Sequence, residues 1–220
     1  MAWVRQSGGR RPREGSTGPV RDAEGMGTPG IFCLEGDWSD SLTDRLSVRP
    51  GLDMFTTMRG ARLIHRNAAT RDEFAHYFGQ WARSRYDRFP VAYLAYHGRR
   101  GRLELGRDEV TLAQLAELTP RPLAGRAIYF GACGTLAAPD EELRDFAART
   151  GVWAIAGYTR TVDWAESAAF DFTLLPELLD SVDVKKLYAR LCKRHPYFVD
   201  TLGLRLATAD WASPRRRAAS

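Results

Sequence analysis

AIYFGACGT, residues 127–135, is the stretch that decides the fold. Its first half is apolar without alternation, which is typical of a strand that is covered on both faces. The strand would leave its sheet at the small residues that follow, which are succeeded by Cys133 and Gly134. The stretch therefore predicts a buried strand whose carboxyl end presents a cysteine.

Similar apolar runs alternate with helical patterns along the chain. The predicted strands cover 30–36, 61–67, 89–98, 125–133 and 151–159, with a last strand near 202–208. The predicted helices cover 70–86, 111–118, 139–149, 163–179 and 183–194, and a small hairpin is expected within 101–112. This alternation predicts the α/β class, with a three-layer α/β/α sandwich around a mostly parallel sheet.

The two ends of the chain differ in composition from the part between them. Residues 1–29 are rich in Gly, Arg, Pro, Ser and Thr. They are expected to be either a disordered basic tail or upstream sequence from an early start site, because Met26 stands just before the first strand. Residues 211–220 are expected to be a basic, solvated C-terminal tail. One α/β domain is predicted between them, over 30–210.

The formal net charge of +5 comes from these ends. Residues 1–29 contribute +2 and Arg215–Arg217 contribute +3, which leaves the rest of the chain neutral. The domain also lacks a stripe of basic and aromatic residues, so we expect no nucleic-acid partner. No run approaches the roughly 20 apolar residues of a membrane span, so no membrane partner is expected. Three widely spaced cysteines do not suggest a disulfide framework, and the expected location is the cytoplasm.

Histidine and cysteine follow two of the predicted strands. His97 and Gly98 end the third strand, and Cys133 and Gly134 end the fourth. In a parallel α/β sheet, ligands bind at the carboxyl ends of the strands. An imidazole beside a thiol can take its proton and make it a nucleophile at neutral pH. If the two strands are neighbours, His97 and Cys133 form a candidate catalytic dyad.

The blocks VAYLAYHG and AIYFGAC, with 36 residues from His97 to Cys133, resemble the caspase-like cysteine peptidases. This group includes caspases, metacaspases, gingipains, separase and the bacterial CHAT domains, of which the last are the most similar. Residues 30–179 also resemble a compact, uncharacterised bacterial family of this type. The resemblance implies a caspase-like fold, Cys133 as nucleophile and His97 as general base. It further implies that the backbone amides of Gly98 and Cys133 form the oxyanion hole, without a metal or cofactor.

The resemblance also indicates where the substrate side chain before the scissile bond, P1, would bind. The corresponding positions hold acidic candidates, which favour a basic P1 residue by charge complementarity. These substrate-binding candidates are Glu35, Asp37, Asp163 and Glu166. Metacaspases place an aspartate two residues before the cysteine, where this chain has Gly131, and this departure weakens the expectation. Asp37, Asp163 and Glu166 are equally consistent with a helix N-cap and first-turn acids.

Alternatives remain open at the level of the sequence. Cys133 could be a buried structural thiol, since free cysteines are often buried. Trp38 and Trp164 are either core residues or the lining of a substrate groove. No His/Cys pair has metal-ligand spacing, and no phosphate-binding glycine motif or GxSxG motif is present. The resemblance implies a cysteine endopeptidase that acts on a protein or peptide and depends on a regulatory partner. The alternative is a catalytically silent caspase-like interaction module.

Overall fold

A computed structural model describes residues 28–216, and the remaining predicted tail segments, 1–27 and 217–220, lie outside the described residues. The strands are β1 (Gly30–Glu35), β2 (Arg62–Asn67), β3 (Val91–Ala95), β4 (His97–Arg99), β5 (Arg102–Leu105), β6 (Asp108–Thr111), β7 (Ala127–Gly131), β8 (Ala154–Tyr158) and β9 (Leu204–Ala207). The α-helices are α1 (Arg49–Arg59), α2 (Arg71–Trp81), α3 (Leu112–Glu117), α4 (Asp140–Thr150), α5 (Trp164–Asp180), α6 (Val184–Arg194) and α7 (Pro196–Thr201).

Six strands form the main sheet in the order β2-β1-β3-β7-β8-β9. Neighbouring strands are parallel, except that β9 runs antiparallel to β8. The pairing of β3 with β7 places Ala95 opposite Gly131, so the two strands end at the same level. The three-layer α/β/α sandwich with a mostly parallel sheet is therefore confirmed.

Alternate residues of each central strand enter two separate cores. On β3, Ala92 and Leu94 face the core formed with α2, α3 and α4, whereas Val91 and Tyr93 face the core formed with α1, α5, α6 and α7. Both faces of the sheet are thus covered, which explains why the strands are apolar without alternation. Thr70 and Glu73 form a capping box at the start of α2, close to where the predicted helix 70–86 begins.

Two helices and one strand boundary differ from the sequence prediction. Helix α1 was not predicted because Pro50 and Gly51 stand in its first turn, where these two residue types are typical of a turn. Helix α7, one and a half turns long, also lacked a readable period. The predicted third strand ends at Ala95, and His97 instead begins β4 in a small antiparallel sheet with β5 and β6. The predicted hairpin is the β5–β6 pair.

Residues 211–216 pack on the domain, in contrast to the solvated tail expected there. Ala212 forms a bridge with Ala207, and the Ser213 side chain is fully buried. Polar and basic residues gave the appearance of a tail, but Arg205 on β9 needs acceptors that this segment supplies. Its Nε donates to the Ser213 carbonyl oxygen at 3.2 Å.

Arg205 also fixes the chain that follows Cys133. Its fully buried guanidinium donates to the carbonyl oxygens of Leu136, at 3.1 Å, and Ala138, at 2.8 Å. It forms an ion pair with Asp140 at the start of α4 as well. The edge strand β9 is thereby linked to the segment that carries the candidate nucleophile out of the sheet.

We expect Arg205→Met to lower the free energy of unfolding by roughly 2–5 kcal/mol, because each buried carbonyl that loses its donor costs about 1–3 kcal/mol. Urea unfolding followed by circular dichroism measures the change. Arg215→Met is the matched control: Arg215 is exposed and donates to the Ala137 and Ala138 carbonyls, so its loss should cost much less. Equal urea midpoints for wild type and Arg205→Met would contradict the anchoring role.

Candidate functional site

One cavity of about 370 Å³ opens at the carboxyl edge of the main sheet, and both His97 and Cys133 line it. Most of the other lining side chains are apolar or aromatic and come from the β1–α1 segment, α1 and α5. Trp38 and Trp164 also line it, with their rings edge to face at 4.6 Å. The sheet order and this cavity together bring the two predicted dyad residues to one place.

The His97 ring is held by Trp38. Its Nε2 lies 2.9 Å from the backbone carbonyl oxygen of Trp38, and the two rings meet edge to face at 5.3 Å. A carbonyl oxygen can only accept, so this hydrogen bond places the imidazole proton on Nε2. The Nδ1 atom of the neutral ring is then left as a proton acceptor. The Trp38 carbonyl was missed by sequence reasoning, which has no signal for a backbone acceptor.

The Cys133 thiol is half-buried on the loop after β7, and it accepts from the Val162 amide at an N–Sγ distance of 3.5 Å. The next residue, Gly134, has φ of +63°, which favours glycine, and its amide donates to the Arg160 carbonyl at 2.9 Å. The loop after β8 therefore supports the cysteine loop on one side.

Gly98, an expected oxyanion-hole residue, packs directly on the cysteine loop. A Cβ at Gly98 would lie 2.5 Å from Thr135 Oγ1 and 3.0 Å from the Cys133 carbonyl oxygen. No side chain fits at this distance, so the glycine is needed for the two segments to approach. This contact places the backbone after His97 against the backbone of Cys133.

Glu35, expected to bind substrate, instead organises the loop that holds His97. Its buried carboxylate accepts four hydrogen bonds of 2.6–2.7 Å and does not line the cavity. The donors are Trp38 Nε1, Ser47 Oγ, the Val48 amide and His65 Nε2. Although burial opposes it, these donors together lower the pKa of Glu35. Glu35 thus fixes Trp38, whose carbonyl orients the imidazole.

The other three acidic candidates also lie outside the cavity lining. Asp37 is exposed. Asp163 is the N-cap of α5 and accepts from the Glu166 amide at 3.0 Å, while Glu166 accepts from the Tyr197 hydroxyl. Of the two interpretations open for Asp163, the structure shows the helix cap. None of these side chains is brought to the dyad.

The acidic side chain that lines the cavity is Asp171 of α5, which sequence reasoning missed. It accepts from the Tyr93 hydroxyl at 2.8 Å and the Tyr129 hydroxyl at 2.7 Å. Burial raises the pKa of Asp171 from 3.8 to about 7, although both hydroxyls act to lower it. The available signal was a single acid within the apolar stretch AAFDFTLL, residues 168–175.

Gly131, two residues before Cys133, makes room for this arrangement. A Cβ there would lie 2.0 Å from Tyr93 Cε2, so the aromatic ring occupies the space of any side chain at this position. The same tyrosine presents its hydroxyl to Asp171. The absence of an acid at position 131 therefore follows from packing, and a different acid stands beside the cavity.

Within residues 28–216, no cluster of three or more His, Cys, Asp or Glu side chains has the arrangement of a metal site. No helix in the same range is both long and apolar enough to cross a bilayer. The profile of a family described as a family of unknown function, DUF6642, matches residues 29–207. No curated protein matches the sequence.

We expect Glu35→Gln to lower the free energy of unfolding by about 1–3 kcal/mol. The amide group replaces one acceptor oxygen with an N–H donor, so that buried donors around it lose their acceptor. The pKa of Glu35 is lowered by folding, so its stabilising contribution exists at neutral pH and is lost as the pH falls through that lowered value. The gap between wild type and Glu35→Gln in urea unfolding should therefore close in acid. Asp37→Asn, at an exposed acid, is the control; a gap independent of pH would contradict the assignment.

The raised pKa of Asp171 has the opposite effect on the pH dependence of stability. Folding binds its proton more tightly, so ionisation costs stability as the pH rises from 3.8 to about 7. Relative to Asp171→Asn, which does not titrate, wild type should lose about 1.4 kcal/mol for each pH unit in this window. Urea unfolding at pH 4.5, 6.0 and 7.5 measures this difference. A constant difference would show that Asp171 keeps an ordinary pKa.

Proposed function

Because the chain belongs to a family of unknown function, DUF6642, we propose its activity from the site geometry: a cysteine endopeptidase that cleaves peptide bonds through Cys133 and His97. The observation that carries the proposal is the cavity lined by a half-buried thiol and by an imidazole whose Nε2 is committed to the Trp38 carbonyl. This leaves Nδ1 to take the thiol proton. The resemblance to caspase-like peptidases supports the same roles.

The proposed reaction runs in two halves. His97 Nδ1 takes the proton of Cys133 Sγ, and the thiolate attacks the peptide carbonyl carbon, whose π electrons move to oxygen. The Gly98 and Cys133 amides are the proposed donors to that oxyanion. The tetrahedral species then expels the amine, which receives the proton from His97, and leaves a thioester on Cys133. Water hydrolyses the thioester as His97 takes a proton from it and returns it to the thiolate.

The surroundings of the three thiols support Cys133 as the reactive one. Cys33 is fully buried in β1, and burial raises the pKa of its thiol well above its ordinary value. Cys192 lies on α6, where its sulfur accepts from Arg216 at 3.0 Å, and it does not line the cavity. All three are free cysteines, which supports the proposed cytoplasmic location, where thiols stay reduced. Control by a regulatory protein partner remains part of the proposal.

We expect His97→Ala to slow alkylation of Cys133 by iodoacetamide at pH 7, and to reduce peptide cleavage by about 10²–10⁴-fold, because the base is lost. Mass spectrometry of the alkylated peptides separates Cys133 from Cys192. The fold should persist, since the His97 side chain is exposed. His76→Ala, at an exposed position of α2, is the matched control.

Slow alkylation of Cys133 in wild type, unchanged in His97→Ala, would contradict the dyad. Together with the absence of cleavage across a peptide library, that result would favour the catalytically silent interaction module. Cleavage that persists in Cys133→Ala would assign the activity to another group or to a contaminant.

A further inference from the structure

Asp171 is a buried carboxylic acid on the wall of the cavity that holds Cys133, and the proposed reaction does not use it. Only 7% of the residue is exposed. Its two carboxyl oxygens accept from tyrosine hydroxyls, and no lysine or arginine is among the described residues that line the cavity. Buried carboxylates in proteins usually have a cation beside them. This cavity provides the carboxylate without a cationic side chain in its lining.

The remaining wall of the cavity suits an apolar stem. Aromatic rings line it on several sides, among them Phe55 of α1, Tyr158 of β8 and Phe172 of α5. Its volume of about 370 Å³ is in the range of pockets that enclose a small ligand group. Aromatic faces also attract cations. A long aliphatic chain that ends in a positive charge matches both the apolar wall and the single acid.

We propose that this cavity binds a cationic side chain of lysine or arginine type, with Asp171 as its counter-ion. The inference rests on the proposed peptidase function, for which the bound side chain would be P1. It assigns basic specificity to a residue on α5, and none of the four acidic candidates from the sequence takes part. The Tyr93 and Tyr129 hydroxyls orient the carboxylate, and the oxygen of Tyr93, which lines the cavity, can accept a further hydrogen bond from the guanidinium or ammonium group.

Neutral groups surround Asp171 on the side of the sheet. Tyr93 of β3, Tyr129 of β7 and Tyr158 of β8 face it from the sheet, with Cys33 of β1 in the same core, and burial raises the pKa of each of these groups well above its ordinary value. They stay neutral near pH 7. His97 and Cys133 lie on the same cavity wall. Because the pKa of Asp171 is raised to about 7, a cation should bind better above pH 7, where the carboxylate is ionised.

The test is a pair of probes that share a shape and differ in charge. We would measure binding of n-butylguanidine and N-butylurea to the full chain by calorimetry at pH 8.0 and pH 5.5. The proposal expects the guanidine to bind at least tenfold more tightly than the urea at pH 8.0. The preference should fall by tenfold or more at pH 5.5, as Asp171 takes up its proton. Because His97 lines the same cavity, the same pH comparison on Asp171→Asn assigns the response to Asp171.

Asp171→Asn should remove the preference at pH 8.0, because the amide has almost the same shape without the charge. Asp163→Asn is the matched control, since it removes a carboxylate from the same helix outside the cavity, and it should keep the preference. Equal affinity for the two probes in wild type would overturn the proposal. A preference that persists in Asp171→Asn would overturn it as well.

Peptide substrates separate this proposal from the peptidase proposal. Arginine and citrulline at P1 differ in charge but hardly in shape, and cleavage of arginine peptides in preference to citrulline peptides supports the Asp171 pocket. Cleavage of both at equal rates overturns the pocket assignment and leaves the peptidase intact. Asp171-dependent binding of n-butylguanidine, with no cleavage and no His97-dependent alkylation, supports the pocket and contradicts the peptidase.

Discussion

The pairing of β3 with β7 is the interaction on which the candidate site depends, because it sets Ala95 and Gly131 side by side. Each strand then leaves the sheet at the same edge and delivers His97 or Cys133 two residues later. The two segments can approach each other only because small residues follow the strands. Gly98 packs on the cysteine loop, and the ring of Tyr93 occupies the space that a side chain at Gly131 would need. Backbone pairing thus fixes the spacing of the dyad before any side chain contributes to it.

Two buried acids flank this arrangement and act in opposite ways. Glu35 has four donors, which keep its pKa low. Its hydrogen bonds to Trp38 and Val48 fix the conformation of the loop around Trp38. Asp171 has two neutral donors, and burial raises its pKa to about 7. The number of donors decides which acid is structural and which can still gain from a ligand. The first orients the proposed catalytic histidine, and the second is the proposed recognition group.

Much of the fold could be predicted because its signals are local. Apolar runs without alternation predicted the central strands, and a helical pattern from residue 70 predicted α2. Helix α1 was missed, since Pro50 and Gly51 in its first turn are typical of a loop. The change of sheet at His97 was also hidden, because Tyr96 is as buried as the strand before it.

The sequence by itself determined the fold class and singled out His97 and Cys133, since both follow directly from apolar runs that end in small residues. Only the tertiary structure decided how the acids are used, because burial and hydrogen bonding depend on residues far apart in the chain. Glu35 meets His65 from a neighbouring strand, whereas Asp171 meets tyrosines from β3 and β7. The sequence shows which residues carry a carboxyl group, but the fold sets the pKa of each group and its access to the cavity.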